Sequence, residues 1–375
     1  MANAQLRGVA VIGVGMTRFG QYPEKSAVDH GVEATLAALA DARLEWKDIQ
    51  AAYVGSMNLG GTIGPMTLAE IGLTGIPIMN VENASASGAA AFREAYIAIG
   101  AGLCDVALAL GIGKMTASQA PRAGAAGPPH GDSFPPAAVF AMRAQRRMFE
   151  YGDTADHYAK VSVKNHRHGA LNPFSQFQEP VTIDEVRGAR MIADPLTVLH
   201  CTPRGDGGAA AILCSAEKAR ALGVSPLITV AASAFRSELY RSPTLDSPTL
   251  TEATSREAYE QAGAGPWDMD LVQIHDAFTV EEIDYYEELG LCARGEGAKL
   301  IDEGVTEIGG KLPFSTDGGL LARGHPVGPT GLAQVWETVQ QLRGTAGPRQ
   351  VGGASIGLCQ MIGAGGVCFV HILQR

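Results

Sequence analysis

The sequence predicts an α/β protein in which sheets are covered by helices. Apolar runs of strand length alternate with helical patterns, as where GVAVIGVGMTRFG (8–20) is followed by SAVDHGVEATLAALADARL (26–44). Two similar strands, GGAAAILC (207–214) and GGVCFVHI (365–372), close the two halves, which indicates an internal duplication. Continuous apolar strands are typical of sheets buried on both faces, so this alternation favours stacked layers.

The elements of the two halves follow one plan. In the first half we predict strands at 49–58, 75–83 and 105–115, a helix at 87–103, and a strand and helix within 207–223. In the second half we predict a strand at 226–235, a helix at 249–263, a strand, turn and helix within 269–290, a helix at 328–344 and a strand pair within 351–373. The predicted halves are residues 1–220 and 221–375.

Residues 116 to about 200 interrupt this plan. The stretch TASQAPRAGAAGPPHGDSFPP is rich in Pro, Gly and Ala, as loops are, and two helical patterns follow it. We interpret the segment as a loop domain that lies over the core and shapes the substrate pocket.

Composition excludes several function classes. Hydrophobic residues make up 46% and charged residues 18% of the 375 positions, which is typical of a well-buried globular protein. The net charge of −10 gives no basic surface for nucleic acid. The N-terminus lacks a signal-peptide pattern, and no apolar stretch reaches the ~18 residues needed to span a bilayer. We therefore expect a cytoplasmic protein without membrane contact.

The six cysteines do not form a CxxC pair, so the sequence predicts neither a zinc site nor a redox motif. In a reducing cytosol they should be free thiols, most of them in the core. No metal site is predicted.

Three turns carry the candidate chemistry. Ser85 lies between a predicted strand and a helix, His275 and Asp276 lie at a strand end, and His325 lies in the Gly-rich loop GGLLARGHPVGPTG (318–331). The N-terminus of a helix supplies positive potential for a nucleophile, and two histidines supply a general acid and base near neutral pH. Glycine loops let backbone N–H groups approach a carbonyl oxygen. A nucleophile at a helix start, two histidines and glycine loops together suit acyl transfer or carbon–carbon chemistry beside a carbonyl.

The same stretches resemble the thiolase superfamily. The matching segments, in order along nearly the whole chain, are VENASASGAAAFREAY, DVALALGIGKM, HDAFTVEEI, GGLLARGHPVGPTG and GAGGVCFVHIL. The nearest branch is the archaeal and bacterial thiolases related to sterol-carrier-protein thiolases. The resemblance implies thiolase-like duplicated halves that form a five-layer αβαβα core with an inserted loop domain. It also implies a homodimer or larger assembly, and coenzyme A as a substrate rather than a permanently bound cofactor.

Site roles follow from the resemblance. Ser85 stands where the family has its acylated cysteine. His325 would be the base that activates the nucleophile and a donor to the thioester oxygen. His275 would help bind that oxygen and transfer the proton at the alpha carbon. Gly324, Gly363, Gly365 and Gly366 are candidates for backbone contact with substrate. Archaeal relatives also work with a small DUF35-type protein that combines a zinc ribbon and an OB-fold, so we expect such a partner.

Three departures from the family pattern affect these roles. Ala277 replaces the cysteine that follows in the HDxF motif of sterol-carrier-protein thiolases. The C-terminal CxG motif of other thiolases is missing, because Gln360 and Met361 follow Cys359. The third departure is Ser85, because a hydroxyl is far less acidic than a thiol.

Three interpretations of the serine therefore stay open. The chain is a thiolase in which a cysteine has been replaced, a retro-aldolase that cleaves a 3-hydroxyacyl-CoA without an acyl-enzyme, or an inactive acyl-CoA-binding subunit.

Other polar residues have two interpretations each. Asp276, a candidate for substrate binding, either orients His275 or caps the helix that begins at Thr279. In the KNHRHG stretch, His166 and His168 either face CoA phosphates together with Lys164 and Arg167 or mark a solvated helix end, which we favour. We expect Cys359 to be a core thiol, and four further histidines to be structural or exposed: His130, His157, His200 and His371.

Overall fold

The computed structural model describes residues 6–116, 135–238, 248–364 and 366–375. The strands within these ranges are β1 (Val9–Met16), β2 (Ala51–Ser56), β3 (Ile78–Val81), β4 (Val106–Lys114), β5 (Met191–Ala193), β6 (Leu196–Thr197), β7 (Asp206–Ser215), β8 (Ile228–Ser237), β9 (Leu271–Gln273), β10 (Ile356–Gly363) and β11 (Val367–Gln374). The helices are α1 (Ala27–Ala42), α2 (Ile63–Ala69), α3 (Ser87–Gly100), α4 (Pro136–Tyr151), α5 (Ala155–Ala170), α6 (Ile183–Gly188), α7 (Ala216–Ala221), α8 (Leu250–Ala262), α9 (Thr279–Glu288), α10 (Gly297–Asp302), α11 (Gly319–Ala322) and α12 (Thr330–Arg343).

The strand order repeats on the two sides of a short seam. Nine strands pair in the order β3-β2-β4-β7-β1-β8-β11-β10-β9, and β1 meets β8 through only two residue pairs, Ala10–Thr229 and Val11–Ile228. Outward from the seam, each side has two antiparallel pairings and then a parallel one: β1-β7-β4-β2 and β8-β11-β10-β9. This symmetry is the duplication that the Gly-Gly strands predicted. The boundary between residues 220 and 221 stays a prediction.

The layers follow from side-chain alternation along the strands. In β7, Ala209, Ala211 and Leu213 pack toward the cluster that contains α3 and α12, whereas the intervening residues pack toward α1. Helices α8 and α9 cover the outer face of the second half. Two helices thus lie between the sheet halves and others cover both outer faces, which confirms the five-layer fold class.

The insertion between β4 and β7 contains α4, α5, α6 and the β5–β6 pair, and α5 packs against α9 and α11. Its first part, including His130, lies outside the described residues. The preferred interpretation of a solvated helix end at His166 and His168 is wrong, because both side chains are buried. His168 Nδ1 lies 3.1 Å from the Ser315 carbonyl oxygen, and the Ile308 N–H donates to Nε2 at 3.2 Å.

Buried charge also distinguishes this insertion. The Lys164 ammonium lies 2.5 Å from the Glu282 carboxylate, and both side chains are fully buried. Lys164 therefore has a protein partner in place of the CoA phosphate that the sequence offered as an alternative. The exposed Arg167 pairs with Glu307. The polar pattern of α5 resembled a surface because sequence shows composition but not which neighbours cover a helix.

The remaining described histidines and the cysteines are buried or partly buried. His200 and His371 are buried, and His157 is partly buried. All six cysteines are free thiols; Cys214, Cys359 and Cys368 are buried and the other three are partly buried. Within the described ranges, no helix is long and apolar enough to cross a membrane. The same ranges contain no group of three or more His, Cys, Asp or Glu side chains suited to a metal ion.

Candidate active site

Ser85 lies in a tight turn between β3 and α3. The preceding residue, Ala84, has a left-handed φ of 48°, which is costly for a residue with a Cβ. Ser87 holds the turn: its hydroxyl donates to the Ala84 carbonyl at 2.7 Å and accepts the Asn83 N–H at 2.9 Å. The turn therefore places the Ser85 hydroxyl at the start of α3, as the sequence predicted.

The end of β10 lies directly against this turn. A Cβ on Gly363 would lie 2.2 Å from the Asn83 carbonyl oxygen, so only glycine fits there. The Gly366 N–H donates to the Gly363 carbonyl at 3.2 Å and closes the β10–β11 hairpin. Gly365 lies outside the described residues. Backbone contact between these glycines and substrate stays a prediction.

His325 lies in the loop between α11 and α12. Gly324 has a φ of 107°, and Gly328 lies so close to β4 that a Cβ would be 2.1 Å from the Ile112 carbonyl oxygen. The loop is thereby fixed between the sheet and α3. Direct contact of Gly324 with substrate is not tested by these contacts and stays a prediction.

The His325 ring joins Ser85 to the first residue of α12. Its Nε2 lies 3.2 Å from Ser85 Oγ, and its Nδ1 lies 2.8 Å from Thr330 Oγ1. Burial lowers the pKa of His325 well below its ordinary value, and the charges of His275 and Arg323 act in the same direction. The ring is therefore neutral at pH 7 and able to accept a hydrogen bond from Ser85.

His275 follows β9 and lies beside His325. Its backbone N–H donates to Gln360 Oε1 at 2.9 Å, and the two histidine rings are 5.3 Å apart, edge to face. Its Nδ1 is 3.5 Å from Glu281 Oε1. Neither ring nitrogen makes a hydrogen bond among the described residues. The structure thus brings Ser85, His275 and His325 together.

Asp276 points away from this group. Its carboxylate is fully buried and accepts hydrogen bonds from the Leu320 N–H at 2.8 Å and the Asn165 side chain at 2.7 Å. Burial, followed by the charge of Glu282, raises the pKa of Asp276 well above its ordinary value.

Neither sequence interpretation of Asp276 matches these contacts. Its carboxylate bonds to Leu320 and Asn165 and not to His275, and the N-terminus of α9 is capped by Glu281, which accepts the Phe278 N–H at 3.0 Å. Substrate binding by Asp276 therefore gains no support. The residue instead ties α11, and through it the loop of His325, to the end of β9.

Cys359 lies on β10 and is buried in the core. Cys359 Sγ lies 3.2 Å from Thr338 Oγ1, and burial raises its pKa to about 12. A thiol in that state supplies no acid–base chemistry near neutral pH. The sequence prediction of a core thiol agrees with this position.

Sequence reasoning missed three residues that hold the histidines: Thr330, Glu281 and Gln360. Thr330 lies five positions after His325, and Glu281 lies six positions after His275, so both belong to motifs already quoted. No sequence signal pointed to Gln360, because it reaches the backbone of His275 from a separate strand.

A cavity of about 670 Å³ is lined in part by residues that contact the group. Gly363 and Glu281 border it on the side of the histidines, and Phe140 and Arg143 of α4 border it on the side of the insertion. Helix α4 of the insertion therefore borders this cavity, but Ser85, His275 and His325 do not line it, and the role of residues 116–200 in shaping the substrate pocket stays a prediction.

Family comparisons cover both halves of the chain. Residues 9–217 match the family described as "Thiolase, N-terminal domain", and residues 233–375 match "Thiolase C-terminal domain-like".

Individual relatives extend over nearly the full length. An acetyl-CoA acetyltransferase of Methanothermobacter thermautotrophicus is 42% identical, with 99% of this chain and 100% of the relative aligned. Sterol carrier protein 2 of Oryctolagus cuniculus is 37% identical, over 99% of this chain and 72% of the relative. The benzoylsuccinyl-CoA thiolase subunit BbsB of Thauera aromatica is 38% identical, over 90% of this chain and 89% of the relative.

Solved structures agree in fold. The structure described as an Ltp2-ChsH2(DUF35) aldolase superposes with a TM-score of 0.86 at 27% identity, over 98% of both chains. Human mitochondrial 3-ketoacyl-CoA thiolase superposes with a TM-score of 0.75 at 19% identity, over 99% of this chain and 100% of the other. At that identity, the second match speaks for the fold alone.

Proposed function

The chain belongs to the thiolase superfamily, and from that premise we propose that it is a thiolase-type acyl-CoA C-acyltransferase with Ser85 as the nucleophile. The observation that carries the proposal is the 3.2 Å contact between Ser85 Oγ and His325 Nε2 beside His275. The names of the acetyltransferase and BbsB relatives support the same reaction class.

The three residues have separate roles in cleavage of a 3-ketoacyl-CoA. His325 Nε2 takes the Ser85 proton as Oγ attacks the 3-keto carbon. The bond between C2 and C3 then breaks, its electron pair forms the thioester enolate, and His275 delivers a proton to C2. The thiol of free CoA next attacks the Ser85 ester, which releases a shortened acyl-CoA and returns a proton to Ser85.

Serine makes the first step slow. A hydroxyl needs a strong base, yet burial lowers the pKa of His325 and its Nδ1 meets the Thr330 hydroxyl rather than a carboxylate. Cysteine would ionise far more readily at the same place. We therefore expect Ser85→Cys to cleave 3-ketoacyl-CoAs on the order of 10²-fold faster than the unaltered chain.

The test is CoA-dependent cleavage of a series of 3-ketoacyl-CoAs by the unaltered chain, Ser85→Cys and Ser85→Ala. Mass spectrometry should find an acyl ester on Ser85 and a thioester in Ser85→Cys, whereas Ser85→Ala should be inactive. Equal activity of the unaltered chain and Ser85→Ala would sink the proposal. Binding of acyl-CoA without turnover in all three would favour the inactive-subunit alternative.

A retro-aldolase is the second candidate, because the carboxylate of the site serves His275 and not His325. In this reaction a base removes the 3-hydroxyl proton of a 3-hydroxyacyl-CoA, the bond between C2 and C3 breaks, and the enolate is protonated. The similarity to the DUF35 aldolase structure supports it. Release of an aldehyde or ketone without free CoA, unchanged in Ser85→Ala, would select this reaction.

We also propose a homodimer or larger assembly, together with a small DUF35-type partner. The similarity to a structure described as an Ltp2-ChsH2(DUF35) aldolase supports the partner. Light scattering on the purified chain, alone and co-expressed with a DUF35-type protein from the same genome, measures both. A monomeric mass in both samples would contradict the assembly.

A further inference from the structure

We propose that Glu281 is a positioning residue that stabilises the charged form of His275, so that His275 moves the proton at the carbon beside the thioester carbonyl. The inference rests on the proposed function and deepens it, because it assigns the proton-transfer step to one imidazole and its carboxylate partner.

The Glu281 carboxylate is fixed in place. It is 2% exposed, its Oε2 accepts the Phe278 N–H at 3.0 Å, and its Oε1 accepts the Tyr285 hydroxyl at 3.0 Å. The same Oε1 lies 3.5 Å from His275 Nδ1, which is within ion-pair range. Because Gln360 also holds the backbone of His275, both members of the pair have little freedom to separate.

The charge of the Glu281 carboxylate acts on the His275 ring. A carboxylate beside an imidazole favours the imidazolium, and the attraction is stronger away from bulk water. Neither ring nitrogen of His275 makes a hydrogen bond among the described residues; Nδ1 faces Glu281, so Nε2 is the buried nitrogen that is left for a substrate. In the exchange step, the C2–H bond of the acyl-CoA breaks, Nε2 takes the proton and the electron pair forms the enolate; reprotonation reverses the step.

The neighbouring groups are poorer proton carriers. Both ring nitrogens of His325 lie near hydroxyls, and burial lowers its pKa well below the ordinary value. Cys359 has a pKa of about 12 and bonds to Thr338 in the core. Ala277, two positions after His275 in sequence, has no titratable group. Of the described residues around Ser85, the pair of His275 and Glu281 is best suited to the step.

Charged groups from three elements surround this pair. The His325 ring packs against His275, Arg143 of α4 interacts electrostatically with Glu281, and Tyr285 of α9 donates to Glu281. Arg323 acts on His325 and Glu288 acts on Tyr285, so both are one neighbour further from the pair. Any measured pH dependence must be assigned by substitution at Glu281 rather than from the profile alone.

The test is hydrogen–deuterium exchange at C2 of acetyl-CoA and propionyl-CoA in D₂O, followed by mass spectrometry across pH. Glu281→Gln removes the charge but keeps an amide oxygen for the Phe278 N–H. We expect exchange to fall about tenfold at its plateau, and the midpoint of the pH profile to move about one unit lower, because the imidazolium loses its partner. The exposed Glu303 provides the matched control, Glu303→Gln, with no shift expected.

A second variant should move the midpoint of the pH profile in the opposite direction. Tyr285→Phe removes a donor from the carboxylate and leaves its charge to His275, so the midpoint should move to higher pH. A purely structural role for Glu281 would reduce the amount of folded protein in both variants and move neither midpoint. An unchanged midpoint in Glu281→Gln therefore overturns the inference.

Failure of the inference and failure of the proposed function give different results. Cleavage of a 3-ketoacyl-CoA by the unaltered chain without C2 exchange overturns the role of His275 and leaves the acyltransferase intact. Exchange that depends on Glu281, in a chain that transfers no acyl group, leaves the inference intact and removes the acyltransferase.

Discussion

Thr330 is the residue that orients His325 toward Ser85. Its hydroxyl lies 2.8 Å from Nδ1, and it is the first residue of α12, so its position is fixed by the helix. If the Nδ1 of neutral His325 carries the proton, its Nε2 is left as the acceptor that Ser85 requires. Thr330 is thus a positioning residue rather than a group that touches substrate.

Replacing Thr330 with valine should lower kcat about fivefold with little change in KM, since a lost hydrogen bond of roughly 1 kcal/mol releases the ring. Thr338→Val on the same helix is the matched control, because that hydroxyl meets Cys359 in the core. Steady-state kinetics and a thermal melt of both variants provide the measurement. Equal losses of activity in the two would contradict the role of Thr330.

At the scale of elements, the distance between α3 and α12 sets the distance between Ser85 and His325. A Cβ on Gly331 of α12 would lie 2.7 Å from the Ala89 backbone nitrogen, and one on Gly88 of α3 would lie 2.5 Å from the Gly328 carbonyl oxygen. The two helix starts therefore approach closely only because both positions are glycine.

Gly331→Ala should move these helices apart and misplace the two reacting side chains. We expect kcat to fall on the order of 10²-fold, because a shift of about 1 Å has that effect on reacting groups. The free energy of unfolding should fall by about 1–3 kcal/mol. Gly352→Ala is the control, since a Cβ there meets nothing within 4 Å. Wild-type kcat in Gly331→Ala would show that the spacing is not critical.

At the scale of the whole molecule, buried neutral histidines link stability to pH. Among the described residues, burial lowers the pKa of six histidines: His30, His166, His168, His200, His325 and His371. The value is about 4 for His200 and about 3 for His371. Each of these groups binds a proton in the unfolded chain at a higher pH than in the folded one.

The contribution of these six histidines to stability should therefore be fully present above pH 6.5 and be lost as the pH drops below it. The unfolded state then gains protons that the folded state excludes, at about 1.4 kcal/mol per pH unit for each fully neutral histidine. Urea unfolding at pH 7.5 and pH 5.5 measures the effect. His371→Asn should reduce the difference in the free energy of unfolding between the two pH values, whereas His157→Asn, a substitution of a partly buried residue, should not. An equal difference in the two variants would contradict the role given to His371.

Sequence alone determined the class of fold and most of its elements. Helix 26–44 was predicted and Ala27–Ala42 was found, and strand 105–115 became Val106–Lys114, because side-chain periodicity and glycine turns are local properties. Ser85, His275 and His325 were recognised in the same way, since each lies in a turn whose glycines and neighbours are contiguous in the chain.

Only the tertiary structure decided which groups support those three residues. Ser85 and His325 are 240 positions apart, and Gln360 reaches His275 from a separate strand. The same holds for Asp276, which proved to tie α11 to β9, and for α5, whose polar end proved to be buried. Periodicity reports whether a residue suits a helix or a strand; which buried carboxylate or amide meets it depends on how distant elements pack.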